Sequence, residues 1–111
     1  MERPATTPAS TEAYDAIAGN LVPLGVVSGK MMGMPTLYVD GRAFAGLYGS
    51  AMVFKLAGPE HEHALSLAGS GLFDPSGRGR PMKAWVQVPA EHAALWPQLA
   101  DRALASAREA R

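Results

Sequence analysis

The chain has no cysteine among its 111 residues, which excludes disulfides, thiolate metal sites and a cysteine nucleophile. Charge of one sign is not in excess either: ten Lys and Arg stand against ten Asp and Glu. A protein that coats DNA needs a clear basic surplus to hold phosphate, and none is present. Long apolar runs are missing as well. The uncharged stretch Ala43 to Phe54 is broken by Gly46, Gly49 and Ser50, and it falls short of the roughly 20 residues that span a bilayer. Met1-Glu2-Arg3-Pro4 leads into no apolar run of the kind a signal peptide carries. The expectation is a soluble, cytoplasmic protein with no membrane contact. Catalytic signatures are absent too. There is no Gly-x-Ser-x-Gly elbow, no Gly-x-x-x-x-Gly-Lys-Ser/Thr loop and no Gly-x-Gly-x-x-Gly fingerprint.

What is present suffices for one core. Hydrophobic residues make up 48%, close to a globular average, and the length suits a single domain. Residues 1–8 are expected to be a mobile N-terminus and 9–111 the domain. Thr7-Pro8 pairs an N-cap with proline at the first helical position. Tyr14, Ile17, Ala18 and Leu21 then follow at helical spacing, and Gly19-Asn20 and Pro23 end the helix. Pro35–Val39 and Arg42–Tyr48 flank Asp40-Gly41, a strong two-residue hairpin signal because both turn residues accept positive φ. Gly49-Ser50 turns the chain again into Ala51–Leu56. This predicts a three-stranded meander, extended by residues near 26–32. Gly58-Pro59 opens a second helix through Ala68, and residues 69–81 are expected to be a loop. From Met82 the period becomes two as far as Pro89. Leu95, Trp96, Leu99, Ala103 and Leu104 then mark a last helix, with Pro97 in its first turn. The fold class is α+β: an antiparallel sheet, the meander plus one or two further strands, packed with N-terminal, middle and C-terminal helices.

Regular pairing from the Asp40-Gly41 turn puts Leu37, Val39, Phe44, Tyr48 and Val53 on one face. Met34, Tyr38, Leu47, Met52, Phe54 and Leu56 fall on the other. Both faces are apolar, whereas a sheet with one wet side alternates cleanly. Helices can cover one; the second needs loops, the C-terminal segment or another protomer. The expected role is therefore non-enzymatic binding, to a protein partner or as a homodimer, with Met34, Tyr38, Met52 and Trp85 as interface candidates. Methionine adapts to partners and tryptophan anchors interfaces. Core filling is the competing account of the methionines, and packing under the last helix that of Trp85.

A second possibility is a small anion or nucleic-acid phosphate held by Lys30, Arg78, Arg80 and Lys83, since guanidiniums beside free N–H groups of a Gly-rich loop suit such a ligand. Glu60-His61-Glu62-His63 does not read as a metal site. His61 and His63 are two apart and diverge on a helix, where ligands need a spacing of three or four. No catalytic residue, cofactor or metal ligand is assigned.

Several segments resemble the N-terminal domain of the TfoX/Sxy family. Lys30-Met31-Met32-Gly33-Met34-Pro35 is similar to its Met-Phe-Gly segment, with Met32 where the family often has Phe. Val39-Asp40-Gly41-Arg42-Ala43-Phe44-Ala45 resembles its hairpin. Leu72-Phe73-Asp74-Pro75, Gly79-Arg80-Pro81-Met82 and Trp85-Val86-Gln87-Val88-Pro89 resemble its later loop and strand. The likeness runs from about residue 12 to 108. It implies an antiparallel sheet with packed helices and a regulatory role like that of the family's competence regulators. It brings no catalytic residues. The second, helical domain of the competence regulators is not expected here.

Overall fold

The computed structural model describes residues 4–77, 79 and 81–109. Its elements in chain order are α1 (Pro8–Leu21), β1 (Val27–Met31), β2 (Met34–Val39), β3 (Arg42–Tyr48), β4 (Ala51–Lys55), α2 (Gly58–Ser66), β5 (Gly71–Phe73), β6 (Met82–Val88) and α3 (Trp96–Glu109), with short 3-10 turns at Val22–Leu24 and Ala90–Leu95. The fold is α+β, one antiparallel sheet ordered β1-β2-β3-β4-β6-β5.

Local chemistry explains most boundaries. Thr7 caps α1 through a reciprocal pair: the Ser10 N–H donates to Thr7 Oγ1 and the Thr7 N–H to Ser10 Oγ, each at 3.1 Å. The buried Ser10 hydroxyl also donates to the Gly49 carbonyl at 3.1 Å, tying α1 to the β3–β4 turn. Pro4 lies against Gly49, where an added Cβ would come within 2.9 Å of the Pro4 Cβ and Cγ. Pro4 thus packs on the domain, and α1 begins at Pro8, inside the segment expected to be mobile. The helix runs past Gly19-Asn20 to Leu21, and Gly25 at φ +91 closes the following 3-10 turn. Two hairpins use type I′ geometry, Met32-Gly33 at φ +51 and +79 and Asp40-Gly41 at φ +50 and +78.

One face of the sheet carries the helices. α3 packs on β2, β3 and β4, α1 on β3 and β4, and α2 on β6. Trp96, Phe44, Phe54 and Leu37 are fully buried in this layer. The Arg42 guanidinium donates to the Ala107 carbonyl near the end of α3, where a cation meets the negative pole of the helix.

The assignment of side chains to faces departs from the regular pairing at one residue. Leu37 pairs with Ala45, but Tyr38 pairs with Ala43, so Phe44 is an extra residue on β3. This β-bulge turns both Phe44 and Ala45 into the helix-covered core. Beyond it the alternation is inverted. Leu47, Met52, Phe54 and Leu56 lie under the helices, while Tyr48 and Val53 belong to the second face. A one-residue shift exchanges faces for everything downstream.

The second face is covered by the chain itself. Residues 69–81, expected to be loop, contain β5, which pairs with β6. Its register breaks between Leu72, opposite Val86, and Phe73, opposite Met82. Leu72 stays half-exposed at the edge, while Phe73 packs with Met34, Val53 and Trp85. The Phe73 ring meets Tyr48 of β3 edge-on, centroids 4.9 Å apart. In a flat sheet β5 and β3 would stand about 14 Å apart, three strand spacings. The sheet therefore curls, and Phe73 closes its concave side.

Candidate functional site: the open edge at β1

β1 forms one border of the sheet and pairs only with β2 among the described residues. A two-residue hairpin closes on a hydrogen-bonded pair, here Met31 and Met34. By alternation Met31, Gly29 and Val27 bond to β2, and Ser28 and Lys30 turn their N–H and C=O groups outward. The Tyr38 hydroxyl donates to the Lys30 carbonyl at 2.9 Å. Its ring crosses Gly29, where a Cβ would approach Tyr38 Cε1 to 3.1 Å. Gly29 is thus what allows the tyrosine to lie along the edge.

Apolar surface collects around this strand. Among the described residues the exposed large hydrophobics are Val22, Leu24, Val27, Met32 and Leu72. Four of these five lie between residues 22 and 32, so the exposure is local rather than scattered. Arg108 of α3 donates to the Leu24 carbonyl and fixes the approach to β1. Tyr14 stands behind the strand. Its buried hydroxyl has the Ser28 side chain alongside without reaching hydrogen-bond geometry, and burial pushes its pKa above the usual phenol value.

β5, at the other border, is blunter. It has three residues and carries the register break. Short, irregular edge strands resist pairing with another chain.

The residues singled out from sequence are distributed as follows. Lys30 and Tyr38 meet at the β1 edge. Met34, Met52 and Trp85 are 3%, 0% and 6% exposed, which corrects their candidacy as interface residues: each already fills this chain's own core. Trp85 lies on the second face with Phe73, not under α3. Lys30 is separated from Lys83 by β2, β3 and β4 in the strand order. Arg78 and Arg80 lie outside the described residues. The Gly-rich loop is occupied by its own anion. The Asp74 carboxylate accepts from the Ser76 hydroxyl at 2.9 Å and from the N–H groups of Gly77 and Gly79 at 3.1 and 3.0 Å. The Ser76 hydroxyl first, then these backbone donors, hold its pKa below the usual 3.8 against partial desolvation. Those two N–H groups are therefore committed.

His61 and His63 diverge. His61 Nε2 sits 2.7 Å from the Lys83 carbonyl, which requires a proton on that nitrogen. His63 lines an open cleft of about 320 Å³ between α2 and α3 with Glu60, Gln98 and Arg102. None of the orphaned buried polar atoms, Tyr14 Oη, Ser70 Oγ and Trp96 Nε1, belongs to that cleft's lining. Among the described residues no three His, Asp or Glu side chains are grouped to hold a metal ion, and no helix is long and apolar enough to cross a membrane. Comparison with known proteins adds no assignment: no family model, no curated protein and no solved structure matches this chain.

Proposed function

We propose that this chain is a non-enzymatic, cytoplasmic regulatory module that binds protein by accepting an extended strand along β1. One observation carries the reading: a five-residue edge strand, free of proline and bulge, with most of the exposed apolar side chains gathered beside it. Strand addition draws affinity from main-chain hydrogen bonds and specificity from alternate side chains. The motifs similar to the TfoX/Sxy N-terminal domain favour a regulatory role of this kind.

Amide exchange read residue by residue tests it. In dilute protein, Val27, Gly29 and Met31 exchange slowly while Ser28 and Lys30 exchange fast. Adding a blocked synthetic peptide with the sequence Val26–Met32 slows Ser28 and Lys30. Unchanged exchange at these two amides with saturating peptide, while residues of the α2–α3 cleft respond, overturns the reading.

A further inference from the structure

We infer that the strand accepted at β1 is β1 of a second copy, paired antiparallel about a two-fold axis through Gly29; this inference rests on the strand-addition reading above. The segment Val27-Ser28-Gly29-Lys30-Met31 is self-complementary in that register. Gly29 faces Gly29 of the partner subunit across the axis. Ser28 faces the partner's Lys30, and Val27 faces the partner's Met31. The outward-turned residues are Ser28 and Lys30, which are the ones that must form the hydrogen-bonded pairs on either side of a central non-bonded glycine pair. Ser28 N–H donates to the partner's Lys30 carbonyl, and the partner's Lys30 N–H donates to the Ser28 carbonyl. The axis repeats both bonds. The Lys30 carbonyl keeps its Tyr38 hydroxyl, because a carbonyl oxygen has two lone pairs.

Side chains agree with this register. Val27, Gly29 and Met31 share a face with Tyr38, Thr36 and Met34, their partners on β2. Val27 is 63% exposed in the single chain and gains an apolar neighbour. Closest approach falls at the axis, where glycine presents no Cβ and two Tyr38 rings flank the gap. Lysine in an edge strand ordinarily discourages pairing, but here Lys30 faces serine rather than its own copy. Zero formal net charge leaves little repulsion between copies. An isologous contact of this type closes at two subunits, and its 12-stranded sheet ends on the two blunt β5 borders. Paired five-residue strands bury little area, so the dimer is weak and concentration-dependent.

Light scattering and sedimentation on the full chain, between about 10 µM and 1 mM, read the association. The register is tested by charge. Ser28→Glu sets a carboxylate opposite the partner's Lys30 twice per dimer and tightens dimerisation by about two- to thirty-fold at low salt; Ser28→Lys weakens it by a similar factor. High salt shrinks both effects. Circular dichroism confirms that both variants fold. A monomer at all concentrations, with the Val26–Met32 peptide still protecting Ser28 and Lys30, overturns the self-pairing and leaves the strand-addition reading standing. A monomer whose edge also ignores the peptide overturns both. A dimer indifferent to both charge variants overturns the Gly29-centred register.

Discussion

Replacing Phe73 with alanine is expected to remove about 3–5 kcal/mol of folding stability, the range for losing a buried phenylalanine. The size of the effect follows from its position. Phe73 is 1% exposed, and its ring is the part of β5 that reaches across the concave face to Tyr48. Removing it opens a cavity and uncovers Met34, Val53 and Trp85 together. A domain of this size holds about 5–15 kcal/mol in all, so a large fraction is at stake. Urea denaturation measures the loss, and a hydrophobic dye reports the newly wet face. The adjacent Leu72, half-exposed on the outside of the same strand, is the internal control: Leu72→Ala is expected to cost less than about 1 kcal/mol. Equal effects at the two positions would show that Phe73 does not close the second face.

The second large effect concerns Phe44. Phe44→Ala is expected to cost about 3–5 kcal/mol as a core truncation. Deleting the residue is expected to cost about the same, because the bulged residue has no pairing partner of its own on β2. Without the extra residue β3 pairs regularly. Ala45 stays opposite Leu37 and Gly46 opposite Thr36, so Leu47 keeps its place under the helices and Tyr48 its place on the second face. The second face is closely packed here, since a Cβ on Gly46 would lie 2.7 Å from Met34 Cε and 3.1 Å from the Pro35 carbonyl. The expected result is a cooperative urea transition in both variants, at similarly lowered midpoints. Loss of the cooperative transition in the deletion alone would mean that Phe44 is paired in register rather than bulged, because removing an in-register residue exchanges the faces downstream.

These two residues mark where the sequence stops being legible. Elements fixed by local chemistry could be read directly. Thr7-Pro8 starts α1, Asp40-Gly41 turns β2 into β3, the alternation of Met82–Val88 gives β6, and Pro97 falls in the first turn of α3. A bulge has no such marker here. Ala43-Phe44-Ala45 carries no glycine or proline, and nothing in it says that one residue is unpaired, so the faces inverted from Leu47 onward. β5 was hidden for a different reason. Three residues are too few to show a period, and glycine-rich sequence on both sides signals loop. What covers the second face depends on sheet curl, a property of six strands together. The candidate site was half visible in the same sense. Lys30 and Tyr38 each stood out, but which strand is left at the border depends on strand order. Local patterns do not determine that order.

The central claim is that the chain shields both faces of its sheet without help, leaving β1 as the more open of its two borders. Its two tryptophans report the two faces separately, Trp96 beneath the helices and Trp85 on the concave side. Trp96→Phe leaves Trp85 as the sole indole emitter, to be read in protein dilute enough to be monomeric. The account predicts blue-shifted emission from Trp85 and little quenching by iodide, unchanged as concentration rises. Emission like that of a free indole in water, readily quenched and sheltered only at high concentration, would contradict it, because a second copy rather than Phe73 would then be closing that face.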